Sequence, residues 1–411
     1  MSDLLFLAHR LPYPPDKGDK IRSWPILRHL AARHRVHLGT FYDDPRDAAY
    51  IPTLKQLCAS VCALPLRPLA ARTRSMVALA TGEAMSARYF RDRRLMAWIE
   101  ETVAKHSPRA AFVYCSAMAP YVTGLAFERR VIDMVDLDSE KWRGYAAAGG
   151  LLAPLFRREA RRLLTLERRT ASEFDATIFV SKAEAALLER HAPENASRVR
   201  VMPNGVDLER FDPNRAYPNP FPHGRRAIVF TGAMDYRPNV DAACWFGTEV
   251  VPRLRRRWSN TDFWIVGNNP ARAVRQLCGD ANIRVTGRVA DVRPYLAHAD
   301  VAVAPLRLAR GIQNKVLEAM AMAKPLVASP AALAAFDFMR GEEVFAAATP
   351  AEFVDMIAVA MSPKGRAVGI RGRARIAADY RWETKLPLLD SLLTAAPSAP
   401  ESEPVVLATA S

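Results

Sequence analysis

DVAVAPLRLARGIQNKVLEAMAMAKPLVA, residues 300–328, is the stretch from which the fold is read. Val301–Ala304 is a short apolar run closed by Pro305, the pattern of a strand covered on both faces. Arg307–Gly311 is a loop ending in glycine, Ile312–Ala323 carries helical periodicity, and Pro325–Ala328 returns to a strand. Strand, helix and strand in so short a span make a parallel βαβ unit. Gly311 permits a tight turn, so the amides of Ile312 and Gln313 open the helix toward an anion, where the helix dipole also favours negative charge. Glu318 can accept two hydrogen bonds from a ribose diol. Lys315, three residues earlier, is either a cation for phosphate or a plain ion-pair partner of Glu318.

The same rhythm runs through the chain. In the first half the expected strands are Leu4–Ala8, Val36–Phe41, Val61–Leu64, Ala111–Cys115, Val131–Val135, Thr177–Val180 and Val199–Met202. FDPNRAYPNPFPHGRR, residues 211–226, has neither period and reads as a linker. Beyond it Ala227–Thr231, Phe263–Val266 and Ile283–Thr286 precede the unit quoted above. The fold class is therefore α/β, with two doubly wound, Rossmann-like domains facing across a cleft. The expected boundaries are 1–210, a linker at 211–226, a second domain at 227–375, a helix at 376–395 returning toward the first domain, and a disordered tail at 396–411.

Bulk properties narrow the class. Half of the 411 residues are hydrophobic and a quarter charged, which suits globular domains. No apolar run approaches the ~20 residues that span a bilayer, and Leu4–Ala8 is too short for a signal sequence. The five cysteines are scattered and odd in number, which fits a reducing cytoplasm without structural zinc. The net charge of +15 is concentrated, with Arg157, Arg158, Arg161, Arg162, Arg168 and Arg169 in one segment. Arg67, Arg72, Arg74, Arg88, Arg91, Arg93 and Arg94 crowd a second. Such clusters call for an anionic partner; nucleic acid is disfavoured because no aromatics interleave them for base stacking.

Two loops of the first half carry candidate chemistry. HRLPYPPDKGDKIR, residues 9–22, follows the first strand and leads into a helix expected at about Ile21–Ala32. Gly18 lets backbone amides approach an anion, and Lys17, Lys20 and Arg22 add donors suited to phosphate. VIDMVDLDSEKW, residues 131–142, ends a strand in carboxylates, where an open α/β sheet presents its site. Asp136 and Asp138 spell D-x-D, a metal and diphosphate motif in single-domain GT-A transferases. The second Rossmann-like domain argues instead for acceptor-side or base roles, the alternative being helix capping by Asp138. No dinucleotide G-x-G-x-x-G follows the first strand, and no P-loop, G-x-S-x-G or H-E-x-x-H occurs.

The chain resembles glycosyltransferase family 4. VMPNGVD (201–207), FTG (230–232), WIVGNNP (264–270), VTG (285–287) and KVLEAMAMAKPLV (315–327) carry the likeness. LAHRLPYPPDKGDKIRS (7–23) and VIDMVDLDSEKW are similar to a bacterial subgroup of sugar transferases associated with exosortase and exopolysaccharide loci. The resemblance implies a GT-B enzyme, retaining and metal-independent, using no cofactor beyond its nucleotide diphosphate-sugar donor. By that likeness Glu318 binds the ribose and the backbone of Gly311, Ile312 and Gln313 holds the diphosphate. Gly18 lies under the donor phosphates, and Arg237, in the loop after Gly232, supplies a cation. The chain departs from the family in three respects. Arg310 stands where the first glutamate of E-x7-E belongs, Ala233 where an arginine usually follows the glycine, and Asp136 and Asp138 where a histidine is expected.

With no metal site visible, Lys17, Lys20, Arg237, Lys315 and a helix terminus would stabilise charge on the departing phosphate. The acceptor expected is a glycan or polyprenyl-linked saccharide. A nucleotide-sugar 2-epimerase and a catalytically idle nucleotide-sugar-binding protein are readings with the same architecture. LLAPLFRREARRLL, residues 151–164, sets leucines beside paired arginines, so it either lies on an anionic membrane or packs its leucines inward with the arginines in water.

Overall fold

A computed structural model describes residues 1–309 and 311–394, so Arg310 and the expected tail at 396–411 lie outside the described residues. The chain forms two compact units. One comprises Met1–Phe179, Ala185–Val201 and the segment from Pro387; the other comprises Val180–Glu184 and Met202–Leu386.

In the first unit β1 (Asp3–Ala8), β2 (Arg35–Tyr42), β3 (Ser60–Pro65), β4 (Ala110–Tyr114), β5 (Arg129–Val135), β6 (Ala176–Phe179) and β7 (Val199–Val201) form a single sheet. Its order is β3-β2-β1-β4-β5-β6-β7, and every pairing is parallel. Leu4 to Ala8 are completely buried, because helices cover both faces and alternation gives way to an unbroken apolar run. The second unit has β8 (Arg226–Thr231), β9 (Thr261–Val266), β10 (Ile283–Gly287), β11 (Val301–Ala304), β12 (Leu326–Ala328) and β13 (Phe345–Ala346). Its order is β10-β9-β8-β11-β12-β13, again parallel throughout. The winding reverses between β1 and β4 in one sheet and between β8 and β11 in the other. In each unit, ligands of such sheets sit beyond the carboxyl ends of those strands.

The helices used below are α1 (Gly18–Ala31), α2 (Pro68–Thr81), α3 (Met85–Tyr89), α4 (Asp138–Ala147), α5 (Ala153–Glu173), α6 (Arg237–Trp245), α7 (Asn314–Ala321), α8 (Pro363–Asp379) and α9 (Pro387–Thr394). Several elements differ from the sequence reading. The proline-rich segment 211–226 is packed onto the second unit: Phe211 and Phe221 enter its core, and Arg293 lies over the Tyr217 ring. Burying aromatic area outweighs the lack of secondary structure there. The helix expected at 376–395 is divided. α8 ends at Asp379 in the second unit, while α9 joins the first, where Arg129 Nε donates to Leu392 O at 3.2 Å and His29 Nε2 meets Asp390 Oδ1 at 2.8 Å. β13 has no counterpart in the sequence reading because two residues carry no period.

α5 turns Ala160 and Leu163 inward and leaves Arg157, Arg161 and Arg162 exposed, while Leu155, Leu164 and Leu166 are half-buried. Phe156 packs on the Trp142 ring at 5.4 Å. Of the four leucines of α5, Leu163 alone is fully buried.

Candidate functional site

In the first unit the loop after β1 runs into α1, which starts at Gly18, three residues earlier than expected. A Cβ at Gly18 would meet nothing within 4 Å, so the space before this helix is open. The cations of the loop divide sharply. Lys20 is buried, with Nζ 2.7 Å from Asp47 and 3.6 Å from Asp16. Arg22 is buried too, and donates from Nε to Asp133 Oδ2 at 2.7 Å and from Nη2 to Oδ1 at 3.1 Å. Buried charge needs a partner, so both side chains turn inward, away from the open loop where the sequence reading placed them. Lys17 remains partly exposed, with Asp43 at 3.9 Å.

A residue not singled out from the sequence occupies the end of β1. The His9 ring stacks on Tyr114 at 5.8 Å, meets Phe90 edge-on at 5.4 Å and places Nε2 3.4 Å from Asp19. Burial works to discharge it, but Cys115 and Asp19 outweigh that and lift it to about 10, so the ring is cationic at neutral pH. Asp19 is held well below the carboxylate range; burial opposes its charge, and His9 and Arg10 overcome it. His9 carried no motif; only its place one residue beyond a strand could have found it.

Neighbouring strand ends are strained. Cys115 follows β4 at φ 75°, and Val135 closes β5 at φ 67°, a backbone region that β-branched residues avoid. The β5–β6 register shifts between Asp133 and Val135. Asp136 and Asp138 follow this irregularity, both half-buried. Burial pushes Asp138 upward despite Lys141, His9 and a 3.5 Å contact from Ser116 Oγ. Beneath it Glu167 accepts from Ser139 N at 3.1 Å and is raised to about 8 by burial, so it is protonated at neutral pH. Asp138 is the first residue of α4, whose N-cap is Leu137 without a side-chain cap bond. Among the described residues the one group of three with metal-ligand character is Asp3, His37 and His106, at the opposite end of the strands from this pair.

In the second unit β8 is followed by Gly232, which the Gly267 backbone approaches closely. A Cβ at Gly267 would lie 1.7 Å from Gly232 O, so only glycine fits. Arg237 opens α6 and is exposed. Two residues on, buried Asn239 donates from Nδ2 to Ala233 O at 2.8 Å and accepts Lys315 Nζ at 2.7 Å. Lys315 also lies 5.4 Å over the Phe230 ring. Asn239 is thus a second residue missed in the sequence, where a lone asparagine gives no signal.

Gly311 takes φ 59° and turns the chain after β11. α7 begins at Asn314, two residues later than expected, because Gln313 is an extended N-cap with φ −93° and ψ 99°. The amides opening this helix are therefore those of Asn314 and Lys315, with Ile312 and Gln313 in the approach. Asn314 Oδ1 accepts from Asn204 Nδ2 at 2.8 Å, which ties the PNGVD segment to the helix start. Burial lowers Lys315 to about 8 although Glu318 pulls the other way. Burial likewise raises Glu318 to about 7, against Arg210 and Lys315. Gly232, Lys315, Glu318 and the Gly311–Gln313 turn thus gather beyond the carboxyl ends of β8 and β11, an arrangement suited to an anion and a diol.

Two family models match the chain: Glycosyl transferases group 1 over residues 225–362 and Glycosyltransferase Family 4 over residues 144–210. No curated protein sequence matches it significantly. Sucrose-phosphate synthase from Thermosynechococcus elongatus superposes with a TM-score of 0.71 at 18% identity, over 95% of this chain and 98% of that one. WaaG, a glycosyltransferase involved in lipopolysaccharide biosynthesis, gives 0.67 at 17% identity, over 95% and 100%. Anabaena HepE in complex with UDP and glucose gives 0.65 at 15% identity, over 96% and 99%. At such identities the likeness is one of fold, and that fold is GT-B.

Proposed function

We propose that this chain, which has the GT-B fold, is a family 4 glycosyltransferase, as the two family models that match parts of it support, and transfers a sugar with retention from a nucleotide diphosphate-sugar to a glycan or polyprenyl-linked acceptor. The setting is exopolysaccharide or cell-surface polysaccharide synthesis, at the cytoplasmic face of the plasma membrane. The observation that carries the reading is Lys315, held by Asn239 at the mouth of α7 beside Gly232, with Glu318 one turn further along. An ammonium and helix-terminal amides there would meet the diphosphate, and the Glu318 carboxylate the ribose. Charge that builds on the leaving phosphate is stabilised by groups already in place. The UDP complex of HepE supports a nucleoside diphosphate as the carrier. On the acceptor side Asp136 and Asp138 are the base candidates, with the His9 cation close enough to act on Asp138. The decisive test is a panel of nucleotide-sugars with lipid-linked acceptors, read by nucleoside diphosphate release. Release without acceptor, accompanied by an epimerised sugar, would instead identify an epimerase.

Glu318→Ala should weaken donor binding by roughly 1.5–3 kcal/mol, the worth of a charge-assisted hydrogen bond, with the fold unchanged. Because the group titrates at about 7 and binds a diol as the carboxylate, parent affinity should fall as pH drops below 7, and the Glu318→Ala variant should lose that dependence. Calorimetry across pH 5.5–8 would check both; identical affinities would remove Glu318 from the site. Turnover is also expected to survive EDTA, since cations and helix amides are the groups that face the diphosphate in this reading. Loss of activity on chelation, restored by manganese, would return the D-x-D pair to a metal role.

A further inference from the structure

α2 is built inside out. It buries its small residues Ala71, Ser75 and Ala78 and exposes its large apolar ones, Leu69, Met76, Val77 and Leu79, at 78%, 62%, 46% and 45%. At ~100° per residue Leu69 and Met76 share one line along the helix, with Val77 and Leu79 to either side. An ordinary surface helix has the reverse arrangement. Arg67 and Arg72 are exposed at the same helix, which contains no acidic residue.

The carboxyl end of α2 is fixed to α5. Arg158 Nη2 donates to Ala78 O at 2.5 Å, and Arg162 lies against Gly82. The turn that leads into α5 exposes Leu151 and Leu152 at 101% and 57%, and Arg157 and Arg161 are exposed just beyond. Six of the eleven exposed large hydrophobic residues among those described fall on these two segments, so the exposure is concentrated on them. The nearest acid in the sequence, Glu83, is already paired with Arg88 and Arg91.

We propose that α2, together with Leu151 and Leu152, is the face by which this chain lies on an anionic lipid bilayer. Apolar side chains enter the boundary between headgroups and acyl chains while flanking arginines meet lipid phosphates, the pattern of interfacial helices. Charge argues against a second copy as the occupant. In a two-fold contact the Arg67 and Arg72 of one copy would approach those of the other. The inference rests on the reading of an enzyme with a lipid-linked acceptor, yet vesicle binding is measured without acceptor or donor, so the two fail separately. It also moves the membrane contact from α5, where Leu163 is buried and Leu155, Leu164 and Leu166 are half-buried, to α2 and the turn that leads into α5.

The full chain is sedimented with vesicles of phosphatidylcholine alone and of equal parts phosphatidylcholine and phosphatidylglycerol. The parent should bind the mixed vesicles, and salt should weaken that binding. L69Q/M76Q/L79Q should lower apparent affinity at least about tenfold through lost apolar contact, with circular dichroism unchanged. R67E/R72E should remove the preference for phosphatidylglycerol without touching the apolar residues, so either variant alone can decide the matter. A parent that binds neither vesicle, or a triple variant that binds like the parent, overturns the proposal. So does a concentration-dependent dimer abolished by the triple variant, which would assign the face to a second copy.

Discussion

Lys315→Met should lower turnover on the order of 10²–10³-fold while changing donor KM much less, the range found when one preorganised donor to developing charge is removed. Lys315 Nζ is anchored on Asn239 Oδ1 at 2.7 Å and lies over the Phe230 ring. A methionine keeps the packed stem and removes only the charge, so the unit should fold as before. The departing diphosphate gains negative charge as the glycosidic bond lengthens, so the ammonium matters more in the transition state than in the bound donor. The pH profile supplies a second reading. Burial sets Lys315 near 8, so its cationic form, and turnover with it, should decline as pH rises through 8. The methionine variant should lack that alkaline limb. Turnover within threefold of the parent (roughly 0.7 kcal/mol in barrier) would show that another group faces the phosphate. Asn239→Ala should act in the same direction and less strongly, because it only positions the lysine.

Arg22→Met should destabilise the first unit by about 3–5 kcal/mol, the cost of leaving one member of a buried ion pair alone. Asp133 has no exposed surface and Arg22 almost none, and two hydrogen bonds join them. Changing Asp133 to leucine as well should recover much of the loss, since no lone charge then stays inside. Lys17→Met, at a partly exposed position, should shift stability little, so any loss of donor binding there can be read directly. Urea unfolding followed by near-ultraviolet circular dichroism would check all three; a single Arg22 variant as stable as the parent would place the energy of this pair elsewhere.

These two cases show what a sequence can and cannot tell. Strands such as Val301–Ala304 were legible because a parallel sheet covered on both faces demands an unbroken apolar run. The glycine turn before α7 was legible for a similar reason: the positive φ of Gly311 limits which residue can stand there. Lys20 and Arg22 read as phosphate ligands because a loop of cations beside a glycine has that look. Their partners, Asp47 and Asp133, are 27 and 111 residues away, and nothing in the loop announces them. Helix starts were misplaced at Gly18 and Asn314, where the capping residues Lys17 and Gln313 make no side-chain cap bond. His9 and Asn239 escaped notice because each is important for what the fold brings to it.

The division of the chain has a consequence for how the molecule is made and remade. α9 completes the first unit, yet it follows the whole of the second in the chain. On the ribosome the first unit therefore waits with His29 and Arg129 lacking their α9 partners until the last described residues emerge, by which time the second unit is already synthesised. A chimera that grafts the first unit onto another donor-binding half must carry Pro387–Thr394 with it. A truncation that removes Pro387–Thr394 is in effect an alteration of the first unit.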